Sequence, residues 1–162
     1  MQEIDLTKSK DVIGAYNSID FSHERKTYTD YGTQYCFNVL DGKIVAGYNI
    51  QLACFRHLRD LQRQGESDFP YVYSVEAFNR FLKFLSLVPN VDDLSQKLEP
   101  MDWQYFIFAQ LFAWFDLDDV PRFSNIIISI ARSQGKTMIA GICLNFSYLI
   151  EIIGQSNQDF LV

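Results

Sequence analysis

Positive charge is scarce in this chain. Fourteen Lys and Arg stand against twenty Asp and Glu, for a net charge of −6 over 162 residues. A protein that grips nucleic acid over its whole surface needs the opposite balance, so only a local basic strip is left for such contacts. Cysteine is also sparse. Cys36, Cys54 and Cys143 are odd in number, widely spaced and free of any C-x-x-C pair, and His23 and His57 stand alone. That pattern argues against a zinc site or a disulfide framework and fits a reducing cytoplasm. The N-terminal run MQEIDLTKSKDVIG has no apolar signal core, and the longest apolar stretch, Met138 to Ile153, is broken by Asn145, Ser147 and Glu151. Neither a signal peptide nor a membrane span is expected, and a soluble intracellular protein is.

What the chain does have is apolar mass. Hydrophobic residues make up 48% and aromatics 15%, with fourteen Phe, enough for one well-filled core or for part of a larger domain. Residues 1 to 35 are polar and Tyr-rich with weak periodicity and read as a loosely packed arm. Asp41-Gly42 is a turn signal. From Ile44 to Gln64 the residues Ile50, Ala53, Cys54, Leu58 and Leu61 recur at helical spacing, while Arg56, Arg59 and Arg63 form a strip on another face. A second helix is expected over Val75 to Leu87, with Phe78, Phe81, Leu82 and Leu85 inward. Between Ser86 and Asp119 there is one Lys and no Arg. Inside that acidic region a third helix runs from Met101 to Phe115, with Pro100 where a first-turn proline belongs.

The most telling run is Asn125 to Ala131, apolar on both faces, followed by Arg132-Ser133-Gln134-Gly135-Lys136-Thr137 and a helical stretch from Met138. Strand, tight turn and Gly-Lys-Thr at a helix mouth is the order of a phosphate-binding loop. In such a loop the backbone N–H groups of Ser133, Gln134, Gly135, Lys136 and Thr137 converge on phosphate oxygens, aided by the helix dipole. Lys136 would reach the β- and γ-phosphates and the Thr137 hydroxyl would ligate Mg²⁺. Arg132 adds a second fixed positive charge, suited to stabilising charge in phosphoryl transfer. The generic pattern G-x-x-x-x-G-K-[ST] is only half met, because Ile130 stands where its first Gly belongs.

Ala131-Arg132-Ser133-Gln134-Gly135-Lys136-Thr137 resembles the deviant phosphate loop of the large terminase subunit of tailed bacteriophages, in which an A-R-x-x-G-K-[ST] run replaces the generic motif. Leu98-Glu99-Pro100-Met101-Asp102-Trp103-Gln104 looks like that family's L-x-P-x-x-W-Q segment. Pro121-Arg122-Phe123 resembles its approach to the loop, and Gly47 to Leu61 a family N-terminal helix, so the likeness covers about residues 44 to 162. The resemblance implies a P-loop ATPase that drives double-stranded viral DNA into procapsids. It uses ATP and Mg²⁺, acts in the host cell cytoplasm, and works as a homo-oligomeric ring with a portal and a small terminase subunit. Gln104 would read adenine through its amide, a donor and an acceptor at once, with Trp103 packing nearby. Lys136 and Arg132 would hold and polarise the phosphates.

The resulting fold expectation is α/β. A mainly helical region over 1–90 precedes an incomplete P-loop NTPase core over 91–162, with a parallel sheet and flanking helices. Asp159-Phe160-Leu161-Val162 reads as the start of a second strand. No apolar strand ending in Asp-Glu follows residue 137, so the Walker B pair and the nuclease residues are missing from the pattern. Weak nucleotide binding, no efficient hydrolysis, no nuclease activity and an unpaired sheet edge are expected of this segment. Two alternatives stay open: a non-catalytic remnant or interaction module that keeps the loop, and another P-loop enzyme such as a helicase or a small-molecule kinase. Asp116, Asp118 and Asp119 read as an acidic loop, the arginine strip as a solvated helix face, and Tyr105 to Phe115 as aromatic packing. His57 has no nucleophile to serve and reads as a surface or partly buried side chain.

Overall fold

The computed structural model describes Leu6 and residues 10–90, 93–123 and 125–154, with side chains as far as Leu149. The expected strand at Asp159 to Val162 lies outside the described residues. The chain divides into two compact units, Met1–Phe78 with Pro100–Ser124, and Asn79–Glu99 with Asn125–Val162.

The first unit is built from helices whose starts are set by aspartate caps. Helix α1 (Val12–Asn17) begins at Asp11, whose Oδ1 accepts from the Gly14 N–H at 2.8 Å. Helix α2 spans Ser22–Thr27, and helix α3 Tyr31–Leu40. Asp30 caps α3 by accepting from the Thr33 N–H at 2.9 Å, satisfying one of the donors that a helix start leaves open. Gly42 follows α3 with φ 75°, the left-handed turn that Asp41-Gly42 signals. Helix α4 (Tyr48–Arg63) and, after the two units exchange the chain, helix α6 (Asp102–Phe112) both pack on α3. The α3–α6 approach is close: a Cβ on Gly32 would come within 2.5 Å of the Ala109 Cβ. Phe37, Leu58, Phe108 and Trp114 are fully buried between these elements. Each such side chain contributes roughly 1.5–3 kcal/mol of burial. Within the arm expected over residues 1 to 35, residues 10–35 are largely helix, with Val12, Tyr16 and Phe21 in the core.

Strands β1 (Tyr71–Tyr73) and β2 (Trp114–Asp116) close this unit as an antiparallel pair, with Tyr71 opposite Asp116 and Tyr73 opposite Trp114. The third helix therefore ends earlier than its aromatic pattern suggests, because Trp114 and Phe115 pair with β1.

The second unit contains the later part of helix α5 (Val75–Leu85) and helix α7 (Lys136–Gly154). Phe146 of α7 meets Phe81 and Phe84 of α5 at ring separations of 5.0 and 5.3 Å. Ile142 and Ile139 are buried one and two turns earlier on the same helix, the 3–4 spacing of an inward stripe.

The α/β expectation, a P-loop core with a parallel sheet, is overturned. The chain is mostly helical, and its sheet among the described residues is the two-stranded antiparallel pair. Residues 125–131 carry no strand assignment, and Ile126 and Ile127 are 48% and 96% exposed. The reason is physical. A segment apolar on both faces becomes a central strand only when neighbours supply hydrogen bonds on both edges. No described residue supplies them here.

Candidate phosphate-binding loop

Loop residues 130–137 sit at the head of α7, whose first two residues are Lys136 and Thr137. Arg132 and Ser133 form a turn, and the helix is under way once the Ile139 N–H reaches the Gly135 carbonyl at 2.9 Å. Ser133 and Gly135 are left-handed, with φ of 61° and 76°. Alternating left- and right-handed residues swing successive N–H groups toward one side of the chain, which is how a backbone nest for anions is made. Glycine meets that demand at Gly135 without strain, and Ser133 meets it at some cost. Ile130 is not among the residues with positive φ. At the place where the generic motif has glycine, this backbone does not require one.

The charges carried by the loop and the start of its helix are of one sign. Between Asn125 and Ile150 the charged residues are Arg132 and Lys136, with no Asp or Glu. Arg132 is exposed and makes no ion pair or hydrogen bond among the described residues. The Lys136 ammonium folds back over the loop and donates to the Ile130 carbonyl at 2.8 Å. Thr137, Ser133 and Gln134 are exposed at the same helix mouth. Two cations, two left-handed residues and the positive end of a 19-residue helix make a surface suited to an anion with several oxygens.

Gln104 and Trp103 belong to the other unit and to the start of α6. Gln104 is 3% exposed, and its Oε1 accepts from the Met101 N–H at 2.9 Å. This amide therefore has a local task, capping α6 from its third position. The Trp103 indole N–H points to the Met101 sulfur at 3.3 Å.

Several other polar groups proved structural. His57 is fully buried, against the sequence expectation. Its Nδ1 lies 2.9 Å from Gln110 Nε2 and its Nε2 lies 3.1 Å from Thr33 Oγ1. With Gln110 as donor, the ring carries its proton on Nε2 and gives it to Thr33. The edges of Tyr73, Phe106 and Trp114 surround it. Burial, with the charges of Arg56 and Arg122 behind it, pushes its pKa down to about 3. Arg122 is the second such group. It lies 2.8 Å from Asp60, and the rings of Phe69, Tyr71, Trp114 and Phe123 stand 4.9 to 5.2 Å from its guanidinium carbon. The arginine strip is partly spoken for, since Arg63 pairs with Asp68 at 3.1 Å and Arg59 donates to Gln62 at 3.0 Å.

Two of the thiols are poor candidates for a nucleophile. Burial holds the Cys36 thiol well above its ordinary range and pushes Cys143 up to about 11, so neither forms thiolate readily. Asp116 turns inward on its own loop, its Oδ1 accepting from the Asp118 and Val120 N–H groups at 2.9 Å each. No set of His, Cys, Asp or Glu among the described residues is grouped to hold a metal. No helix among them is long and apolar enough to cross a membrane. A groove of about 640 Å³ in the helical unit, floored by Val39, Leu40 and Ile44, includes none of the expected site residues. Comparison with protein-family models, curated proteins and solved structures gives no match.

Proposed function

We propose that residues 130–137 bind the phosphates of Mg²⁺-ATP, and that the chain is the ATP-binding segment of a phage terminase large subunit, the motor that packages viral DNA. The observation that carries this reading is the loop itself. Left-handed Ser133 and Gly135 lie at a helix mouth where Arg132 and Lys136 are the only charges between Asn125 and Ile150 in the sequence. A triphosphate takes the Lys136 ammonium from the Ile130 carbonyl, because a charged oxygen is the stronger acceptor. Arg132 then adds a bidentate contact, and Thr137 offers its hydroxyl to the metal. The roles of Gln104 and Trp103 at adenine rest on the family resemblance alone, as do the partners: double-stranded DNA, a portal, a small terminase subunit and further copies in a ring.

The test is calorimetric titration of the chain with Mg²⁺-ATP, beside Lys136→Ala. A Kd in the range of about 10 μM to 1 mM is expected, with binding lost in the variant. Lys136 is exposed, so its removal leaves the fold intact and the loss reports on the loop. A folded chain that binds no nucleotide would overturn the reading. It would favour instead an interaction module that retains the loop without using it, which the exposure of Ile126 and Ile127 also suits.

A further inference from the structure

We draw no further inference here: the strongest candidate, the exposed apolar surface patch that Ile126 and Ile127 form on the extended segment ahead of the phosphate loop, carries none because nothing in the structure shows what covers it.

Discussion

Replacing Arg122 by Ala takes away the cation placed against the Asp60 carboxylate, whose side chain is 5% exposed. Two consequences add. The carboxylate is left buried without compensation, which costs about 3–5 kcal/mol in comparable sites. The four rings around the guanidinium lose a cation and the space it filled, each contact being worth roughly 0.5–1 kcal/mol and not additive. One detail tempers the sum. Although the nitrogen and oxygen are 2.8 Å apart, neither Arg122 Nη1 nor Asp60 Oδ2 has an aligned hydrogen bond. The pair is held by charge more than by a directed bond, so a loss near 3 kcal/mol is the better figure. For a unit of this size that lowers the melting temperature by about 12–24 °C. Thermal unfolding followed by circular dichroism measures it. The double variant Asp60→Asn with Arg122→Met should recover part of the loss, since it leaves no orphan charge in place of the pair. An Arg122→Ala protein that melts within about 5 °C of the parent would refute the reasoning, as would a double variant less stable than the single one.

His57 supplies a pH dependence. Its folded pKa of about 3 lies below the unfolded value of 6.5, so between these limits the unfolded chain takes up a proton that the fold refuses. Stability is full above pH 6.5 and falls as pH drops, by about 2 kcal/mol at pH 5. Urea unfolding at pH 7 and pH 5 reads this, and a His57→Gln protein with the same pH-dependent loss would show another group to be responsible. Gly32→Ala should destabilise by about 1–3 kcal/mol, because the new methyl meets Ala109 at 2.5 Å; an unchanged denaturation midpoint would mean the α3–α6 contact is looser than described. Gln104→Ala should cost about 1 kcal/mol through the lost cap. An unchanged urea midpoint would mean that the Gln104–Met101 bond adds nothing to the start of α6.

Parts of this fold are legible in the sequence because their causes are local. Helices α4, α5 and α7 follow from apolar residues three and four apart, and Cys54, Leu58, Leu61, Phe78, Phe81, Ile139 and Phe146 are indeed buried. Helix α1 was obscured because six residues show little periodicity, and α3 because it is buried nearly all round and so has no clean apolar stripe; their signal is the capping Asp11 and Asp30. Strand β2 was hidden in an aromatic run that suits a helix equally well until Tyr71–Tyr73 pairs with it. The buried polar partnerships were out of reach for a similar reason. Thr33, His57 and Gln110 are separated by 24 and 53 residues along the chain, and no spacing rule anticipates such meetings.

The same distinction separates the sheet from the loop. A parallel sheet is a non-local object, and inferring one from residues 125–131 assumed neighbours that the described chain does not provide. A phosphate nest is local. Its N–H directions depend on Ser133 and Gly135, and its field on Arg132, Lys136 and the first turn of α7. Losing the sheet therefore leaves the groups of the proposed phosphate site where they are, at the end of an exposed segment that belongs to no strand. Ordering such a segment consumes part of the binding free energy, at about 1–2 kcal/mol for each residue fixed. If the segment is ordered on binding, that cost adds to the missing Walker B pair as a reason for weak affinity. It also sets a direction: whatever immobilises Asn125–Ala131 should tighten nucleotide binding without touching the loop.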